Sequence, residues 1–267
     1  MSKTLGLLAL VAAAAAAGPV HAGAGFETLD RQSVDGVTQI QISYPGHHRA
    51  VTGYLLLPPG EDRRSAVIFN HSGEGVTEDL LWRGRELASR GYVVFAPEYR
   101  ADTAAPRFRV MPGDVENVLA GDRALRNHPR VDDRSVGIIG SGHGALIALL
   151  AEAEAGPRHF RCVAQASGNQ GARDRAPEIK SPVFIQHGAR DRVAEMQEAR
   201  FMGIELKNTG NSSVTIKEYT LGRFDLWFHR EPGGFTVEEI SQADWAWDDL
   251  NAFLDRFLGT GHGVNVR

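Results

Sequence analysis

The chain has one cysteine among its 267 residues, so no disulfide can form within it. That residue, Cys162, lies in the apolar run Phe160 to Ala164, and an isolated buried thiol usually packs as a small hydrophobic group. The ten histidines contain no His-x-x-x-His pair, and Cys-x-x-Cys spacing is absent. We therefore expect neither a structural disulfide nor a metal site.

The chain also lacks an excess of basic residues. Lysine and arginine number 29 against 33 acidic residues, and the net charge is −4. Charges of both signs are scattered along the sequence, so no basic surface for nucleic acid is predicted. The glycine-rich stretch 140–144 has neither the Gly-Lys-Ser/Thr ending of a P-loop nor the Gly-x-Gly-x-x-Gly spacing of a dinucleotide fold. No cofactor is expected.

Only the first residues contain a long apolar run. Lys3 gives a positive start, Leu5 to Ala17 is apolar, and Val20-His21-Ala22 is typical of a signal-peptidase site. The run is shorter than the ~20 residues that a spanning helix needs. We expect a signal peptide over residues 1–22 and a mature domain over 23–267, periplasmic or secreted, with no membrane attachment after cleavage. An uncleaved anchor is the alternative.

After this segment, short apolar strands alternate with helical patterns. Two alternating stretches, Val37 to Tyr44 and Ala50 to Leu57, predict an antiparallel pair joined at Pro45-Gly46. Further strands are predicted at 65–70, 92–97, 135–140, 160–166, 182–187 and 213–219, and helices at 77–90, 114–126, 145–155, 194–207 and 236–258. This order predicts a single α/β domain whose mostly parallel sheet, of about eight strands, is covered on both faces and has no large cap domain. Such sheets place their sites beyond the carboxyl ends of the strands.

One of these strands runs into a sharp glycine turn. The turn reads Gly140-Ser141-Gly142-His143-Gly144 and leads into a helix. A large group of hydrolases carries Gly-x-Ser-x-Gly here, with the nucleophilic serine on a strained bend. In this chain the central residue is a glycine, and the serine comes one residue earlier.

Four motifs in order give the chain a family resemblance. They are Phe69 to Gly73, Ala96 to Arg100, Gly140 to Gly144, and His187 to Asp191. With them, the region from about Ala50 to Leu258 resembles the α/β-hydrolase superfamily, most closely its dienelactone-hydrolase-like and prolyl-oligopeptidase-like members. The resemblance implies an enzyme fold that acts on esters, lactones or similar acyl compounds.

The resemblance also assigns roles by position. Two backbone N–H groups form the oxyanion hole of such hydrolases, and the matching groups belong to Ser72 or Gly73 and to His143. Such hydrolases use a catalytic triad of a nucleophile, a histidine base and an acid that orients the histidine imidazole. Asp191 matches the acid, although it could instead cap the helix predicted from Ala194.

Two of the three triad positions are occupied by residues without the expected chemistry. The nucleophile position is Gly142, and the base position is Phe224. Ser141 is a candidate for a displaced nucleophile, but side-chain alternation at the strand end directs it away from the position of residue 142. His229 lies a few residues beyond Phe224 and is the first candidate for a displaced base.

Other groups are expected near the top of the sheet. His143 and His71 are alternative bases, and His71, Tyr99 and Trp227 are expected to line a pocket.

Two functions follow from these assignments. The first is an exported α/β-hydrolase-like protein that keeps a small-molecule pocket for an acyl compound or another ligand and shows weak or no serine-hydrolase turnover. The alternative is an active carboxylic-ester or lactone hydrolase that uses Ser141, His229 and Asp191. The substrate and any partner protein are not specified by the sequence.

Overall fold

The structure, a computed structural model, describes residues 25–100, 109–111, 113–168, 171–220, 226–228 and 235–259. Within these ranges nine strands form one sheet. The strands are β1 (Glu27–Val34), β2 (Val37–Pro45), β3 (Ala50–Leu57), β4 (Arg64–Asn70), β5 (Val93–Pro97), β6 (Val131–Ser141), β7 (Val163–Ala166), β8 (Val183–Gly188) and β9 (Val214–Tyr219). The α-helices are α1 (Glu78–Ser89), α2 (Asp114–Arg126), α3 (His143–Ala155), α4 (Met196–Asn208) and α5 (Val237–Leu258), and Arg173–Glu178 is a short 3₁₀ helix.

The sheet has the strand order β1-β2-β3-β5-β4-β6-β7-β8-β9. The pairs β1–β2, β2–β3 and β3–β5 are antiparallel, and β5 through β9 pair in parallel. The predicted antiparallel pair is therefore confirmed, and so is the mostly parallel sheet. Because parallel strands end at one edge, the loops after β4, β5, β6 and β8 meet above the same side of the sheet.

Helices cover both faces of this sheet. Residues of α2, α3 and α4 pack in one hydrophobic core, and residues of α1 and α5 pack in a second core on the other face. The helix α3 is apolar on nearly all sides because it lies between the sheet and its neighbours. Two helices begin at threonine caps: the Thr77 hydroxyl accepts from the Leu80 N–H, and Thr236 forms a capping box with Glu239.

The structure corrects several predicted boundaries. A ninth strand, β1, was missed because its residues are almost all exposed and carry no apolar alternation. Helix α3 begins at His143, two residues earlier than predicted, because glycines at 142 and 144 obscure the start of the pattern. The 3₁₀ helix lies between β7 and β8, and α4 begins at Met196 instead of Ala194.

The predicted signal peptide lies outside the described residues, which begin at residue 25. Among the helices that are described, none is long and apolar enough to cross a membrane.

Candidate functional site

The carboxyl ends of β4 and β6 lie side by side at the centre of the sheet. Their parallel register pairs Phe69 with Ile139 and Asn70 with Gly140, a constant offset of 70 positions. The two chains leave the sheet together, so the next residues of each loop remain neighbours. Two positions further along, this offset brings Ser72 opposite Gly142.

The bend between β6 and α3 centres on Gly142. This residue has φ +57° and ψ −117°, a conformation that costs a residue with a side chain on the order of 1–3 kcal/mol. The flanking glycines are required by space: a Cβ on Gly140 would stand 2.1 Å from the Gly144 carbonyl oxygen, and one on Gly144 would stand 2.3 Å from the Asn70 carbonyl oxygen. The bend therefore uses the frame Gly140 to Gly144, not a frame shifted to centre on Ser141.

The space in front of Gly142 is occupied by another side chain. The Oγ of Ser72 lies 2.7 Å from the point where a Cβ on Gly142 would stand, and the Cβ of Ser72 lies 3.5 Å from it. A serine at position 142 would carry its hydroxyl one bond beyond that Cβ. The Ser72 hydroxyl thus lies within the volume that such a side chain needs.

Ser141, the sequence-predicted alternative nucleophile, is the last residue of β6. It pairs with Ala166 on β7 and is only 2% exposed. A hydroxyl buried to this degree presents almost no surface to an incoming ligand, whereas Ser72 is only partly buried.

The residues predicted to supply the oxyanion donors, Ser72 or Gly73 and His143, belong to the two loops that flank this bend. His143 is the first residue of α3, and a first-turn N–H has no acceptor within its own helix. The loop after β4 is held through its carbonyl groups, because Gly75 N–H donates to the Ser72 oxygen and the Arg100 guanidinium donates to the Gly73 oxygen at 2.9 Å. A carbonyl oxygen between these segments would also meet the positive end of the α3 dipole.

Asp191 follows β8 and is buried at the same edge of the sheet. Its Oδ1 accepts hydrogen bonds from the backbone N–H groups of Val193, at 2.8 Å, and Ala194, at 3.0 Å. The Oδ2 has no hydrogen-bond partner among the described residues. Because α4 begins at Met196 with Glu195 as its cap residue, Asp191 closes the preceding turn and does not cap the helix. Its free oxygen leaves one acceptor unused.

A stack of rings lies beneath the two loops. The His71 imidazole stacks on Tyr99 with ring centroids 4.2 Å apart, and the His143 ring is 6.1 Å from Tyr99 on a nearly parallel plane. The Tyr99 hydroxyl donates to the His71 carbonyl oxygen at 2.7 Å. His71 and Tyr99 are fully buried and His143 is nearly so, which makes this stack part of the support under the bend.

The two candidate bases in this stack differ in their partners. His71 Nδ1 donates to the Ser72 carbonyl oxygen, and its Nε2 is 3.5 Å from a carboxylate oxygen of Glu98. Burial lowers the pKa of His71 to about 4, with smaller contributions from its neighbours, so its imidazole is neutral at pH 7. Burial also raises the pKa of Glu98. His143 has no hydrogen bond to either ring nitrogen from the described residues, and its Nε2 is 3.9 Å from Asp114 Oδ2.

His71, Tyr99 and Trp227, which were expected to line a pocket, have no exposed surface in the structure. Trp227 belongs to the core beside α5, where its indole N–H donates to Gln186 at 2.9 Å. The other two predicted residues of the last loop, Phe224 and His229, lie outside the described residues.

A cavity of about 720 Å³ opens beside the loop after β4. Its lining includes Gly73, Gly75 and Glu98 from the loops and Thr52 and Tyr54 from β3. The volume falls in the range of about 300–1,000 Å³ that is usual for small-molecule sites. Gly73 connects the cavity wall directly to Ser72. Sequence reasoning missed this cavity because its wall combines β3 with loops that are distant along the chain.

No group of three or more histidine, cysteine or acidic side chains is arranged to hold a metal ion within the described part of the chain. Burial raises the pKa of the Cys162 thiol, so this residue is a poor nucleophile where it stands.

The sheet order, the glycine bend and the loops around it are those of an α/β-hydrolase. The sequence profile of the dienelactone hydrolase family matches residues 51–223, which is more than half of the chain. The chain belongs to the dienelactone hydrolase family.

Similar proteins agree with this class. A dienelactone hydrolase-like promiscuous phosphotriesterase from metagenomic libraries superposes with a TM-score of 0.71 at 18% identity, covering 84% of this chain and 100% of that one. A cold-adapted esterase from an Arctic intertidal metagenomic library gives 0.66 at 16%, covering 85% and 97%. The Pyrococcus horikoshii acylaminoacyl peptidase gives 0.68 at 16%, covering 88% of this chain and 44% of that one. At these identities the likeness concerns the fold.

One curated relative was found by sequence. It is the Bacillus subtilis (strain 168) protein named uncharacterized peptidase YtmA, which is 28% identical over 118 residues. The match spans 43% of this chain and 46% of the relative, so less than half of that protein's length is covered.

Proposed function

We propose that this protein binds a small acyl compound, an ester or a lactone, at the carboxyl edge of its sheet, and that residue 142 supplies no nucleophile. Serine-hydrolase turnover by the usual route is then weak or absent. The observation that carries this proposal is the position of Gly142, which holds the strained centre of the bend without a side chain.

Three features support a retained binding site. The cavity beside Gly73 has the volume of a small-molecule pocket. The first N–H of α3 has no acceptor within its helix, and backbone donors of this kind keep their function without any catalytic side chain. Asp191 follows β8, and its buried Oδ2 has no hydrogen bond from the described residues and lies 3.9 Å from His187 Nε2.

The alternative hydrolase with Ser141 as nucleophile has less support. Ser141 is 2% exposed at the end of a strand, and the close contact of Gly140 with Gly144 favours a bend centred one residue later. Loss of a triad nucleophile typically lowers turnover by about 10⁶-fold, so the absence of a serine at residue 142 would leave little esterase activity.

Export of the mature domain is part of the same proposal. It is supported by the N-terminal pattern around Lys3, Leu5 to Ala17 and Ala22. The N-terminal residue of the protein, purified from cells that express the full chain, tests cleavage: Gly23 is expected, and an intact leader would contradict release of a mature domain.

The binding proposal is tested with p-nitrophenyl butyrate and δ-valerolactone. We expect calorimetry or ligand-observed NMR to detect binding to the wild type, with kcat/KM for the ester far below the roughly 10⁴ M⁻¹s⁻¹ at the lower end for efficient enzymes. Thr52→Trp should narrow the cavity and weaken binding at least about tenfold, because Thr52 lines it and is exposed.

Thr215→Trp is the matched control, since Thr215 is also an exposed strand threonine but lies on β9 at the edge of the sheet. Equal binding by both tryptophan variants, or no binding by the wild type, would contradict the proposed site. Efficient ester turnover by the wild type, which has Gly142, would contradict the proposal that catalysis is weak.

A further inference from the structure

The hydroxyl of Ser72 lies beside the position that the side chain of a nucleophile at residue 142 would take. It is 2.7 Å from the Cβ position of Gly142, nearer than the 3.0 Å at which real Cβ contacts essentially cease. Ser72 and a side chain at residue 142 therefore exclude each other unless Ser72 moves. The offset of 70 that pairs Ala66 to Asn70 with Val136 to Gly140 brings the two loops to neighbouring positions.

The Ser72 hydroxyl is also accessible and has no hydrogen bond that would occupy it among the described residues. Ser72 is partly buried, in contrast to the almost fully buried Ser141. Its own carbonyl is fixed by His71 Nδ1 and by the Gly75 N–H, which holds the residue's backbone in place. The next residue, Gly73, lines the cavity. A ligand that extends from the cavity past Gly73 would reach the residue that carries this hydroxyl.

We propose that the Ser72 hydroxyl is an acyl acceptor. Its oxygen bonds to the carbonyl carbon of a bound ester, the bond from that carbon to the alcohol oxygen breaks, and the Ser72 proton ends on the departing alcohol. Ser72 is left as an ester of the acyl group. The first N–H of α3, on His143, lies at the same bend and is available to stabilise the negative charge on the carbonyl oxygen.

The acyl group on Ser72 leaves slowly. No imidazole of the described residues is hydrogen-bonded to this oxygen, so both acylation and hydrolysis lack a base. Hydrolysis is the slower of the two, because the alkyl ester on Ser72 has a poorer leaving group than a p-nitrophenyl ester. The residue at the expected base position is Phe224. The protein thus takes up one acyl group per chain and keeps it. This inference rests on the proposed function, because the ester must first bind at the sheet edge.

The experiment mixes the purified protein with p-nitrophenyl butyrate and follows both products. We expect a burst of p-nitrophenol approaching one equivalent per chain, an intact mass increased by one butyryl group, and a modified peptide in which Ser72 carries the label. Ser72→Ala should lower the burst and the label at least about tenfold. Ser43→Ala is the matched control, because Ser43 is likewise partly buried but lies on β2, and its burst should equal that of the wild type.

Ser72→Cys provides a second variant that keeps a nucleophile in place. Its thiol should be acylated at least as fast as the wild-type hydroxyl, and the only native cysteine is buried with a raised pKa and gives little background. Circular dichroism spectra of each variant are compared with that of the wild type to check that the variant is folded.

Label on Ser141 or another residue would overturn the assignment of Ser72, and so would a full burst in Ser72→Ala. If the ester binds but no label forms, the acyl-acceptor role is wrong and the binding function stands. If neither binding nor label is found, both are wrong.

Discussion

Tyr99 holds His71 in two ways, by stacking its ring 4.2 Å from the imidazole and by donating its hydroxyl proton to the His71 carbonyl oxygen at 2.7 Å. The pair lies directly beneath the loop that carries Ser72. The position of the Ser72 backbone therefore depends on a buried, neutral imidazole. This dependence makes the stability of the loop sensitive to pH.

The folded protein should lose stability as the pH falls from about 6.5 to about 4. The pKa of His71 is about 4 in the folded chain against 6.5 for an ordinary histidine, so only the unfolded state takes up a proton in this window. The shift corresponds to about 3 kcal/mol. The raised pKa of Glu98 has the opposite effect on stability. As the pH falls, the folded state takes up this proton at a higher pH than the unfolded state does, which favours the folded state.

The measurement is urea unfolding between pH 7 and pH 4.5 for the wild type and His71→Asn. Asparagine keeps an N–H donor for the Ser72 carbonyl but does not titrate. The variant should be less stable at pH 7 and should lose about 2–3 kcal/mol less than the wild type on acidification. Equal pH dependence in the two proteins would show that His71 is not the titrating group.

The contact between residues 142 and 72 predicts a coupled pair of substitutions. Gly142→Ser should destabilise the protein by about 1–3 kcal/mol through backbone strain and by more through contact with Ser72. Adding Ser72→Ala should recover about 1 kcal/mol, because the contact is removed while the strain remains. Chemical denaturation of the wild type, the two single variants and the double variant measures this coupling as a double-mutant cycle.

Gly156→Ser serves as the control for strain alone. Gly156 has φ +99°, and a Cβ there would meet nothing within 4 Å. Ser72→Ala should give no recovery in that background. Purely additive effects in the 142 and 72 cycle would mean that the two side chains do not compete for one space.

A buried carboxylate, Glu152, ties the end of α3 to the neighbouring strands. Its two oxygens accept from the backbone N–H groups of Arg158, Phe160 and Ser181, each at 3.1 Å. Glu152→Gln replaces one acceptor by a donor and should cost about 1–3 kcal/mol. Glu154→Gln, at an exposed position of the same helix, should stay within about 0.5 kcal/mol in the same denaturation experiment. Similar costs for the two variants would contradict this role.

The turn after β8 should depend on one oxygen of Asp191. Asp191→Ala removes the acceptor of two backbone N–H groups and should cost about 1–2 kcal/mol, while Asp191→Asn keeps an acceptor and should recover at least half. Asp248→Ala, at an exposed position of α5, is the control and should have little effect on the midpoint of thermal unfolding. If the asparagine variant were as unstable as the alanine variant, the charge rather than the acceptor would be the important feature.

Most of the fold could be predicted because local sequence patterns determine where most strands and helices begin and end. The strand Ala50–Leu57 and the helix α2 have the predicted bounds, since apolar periodicity and flanking turn residues mark them. Strand β1 was missed because its residues are mostly exposed, and only hydrogen bonding to β2 makes it a strand. The rings of Tyr99 and Trp227 were placed in a pocket because their positions follow strands or lie in a loop, but packing enclosed them.

The sequence by itself determined the order of the helices and of every strand after β1, the glycine bend and the absence of a side chain at Gly142, because each of these is a local property of consecutive residues. Only the tertiary structure decided that Ser72 fills the space in front of that glycine. The two residues are 70 positions apart, and nothing in either segment encodes the other. The parallel register of β4 and β6 brings them together, and hydrogen bonding across the sheet sets that register.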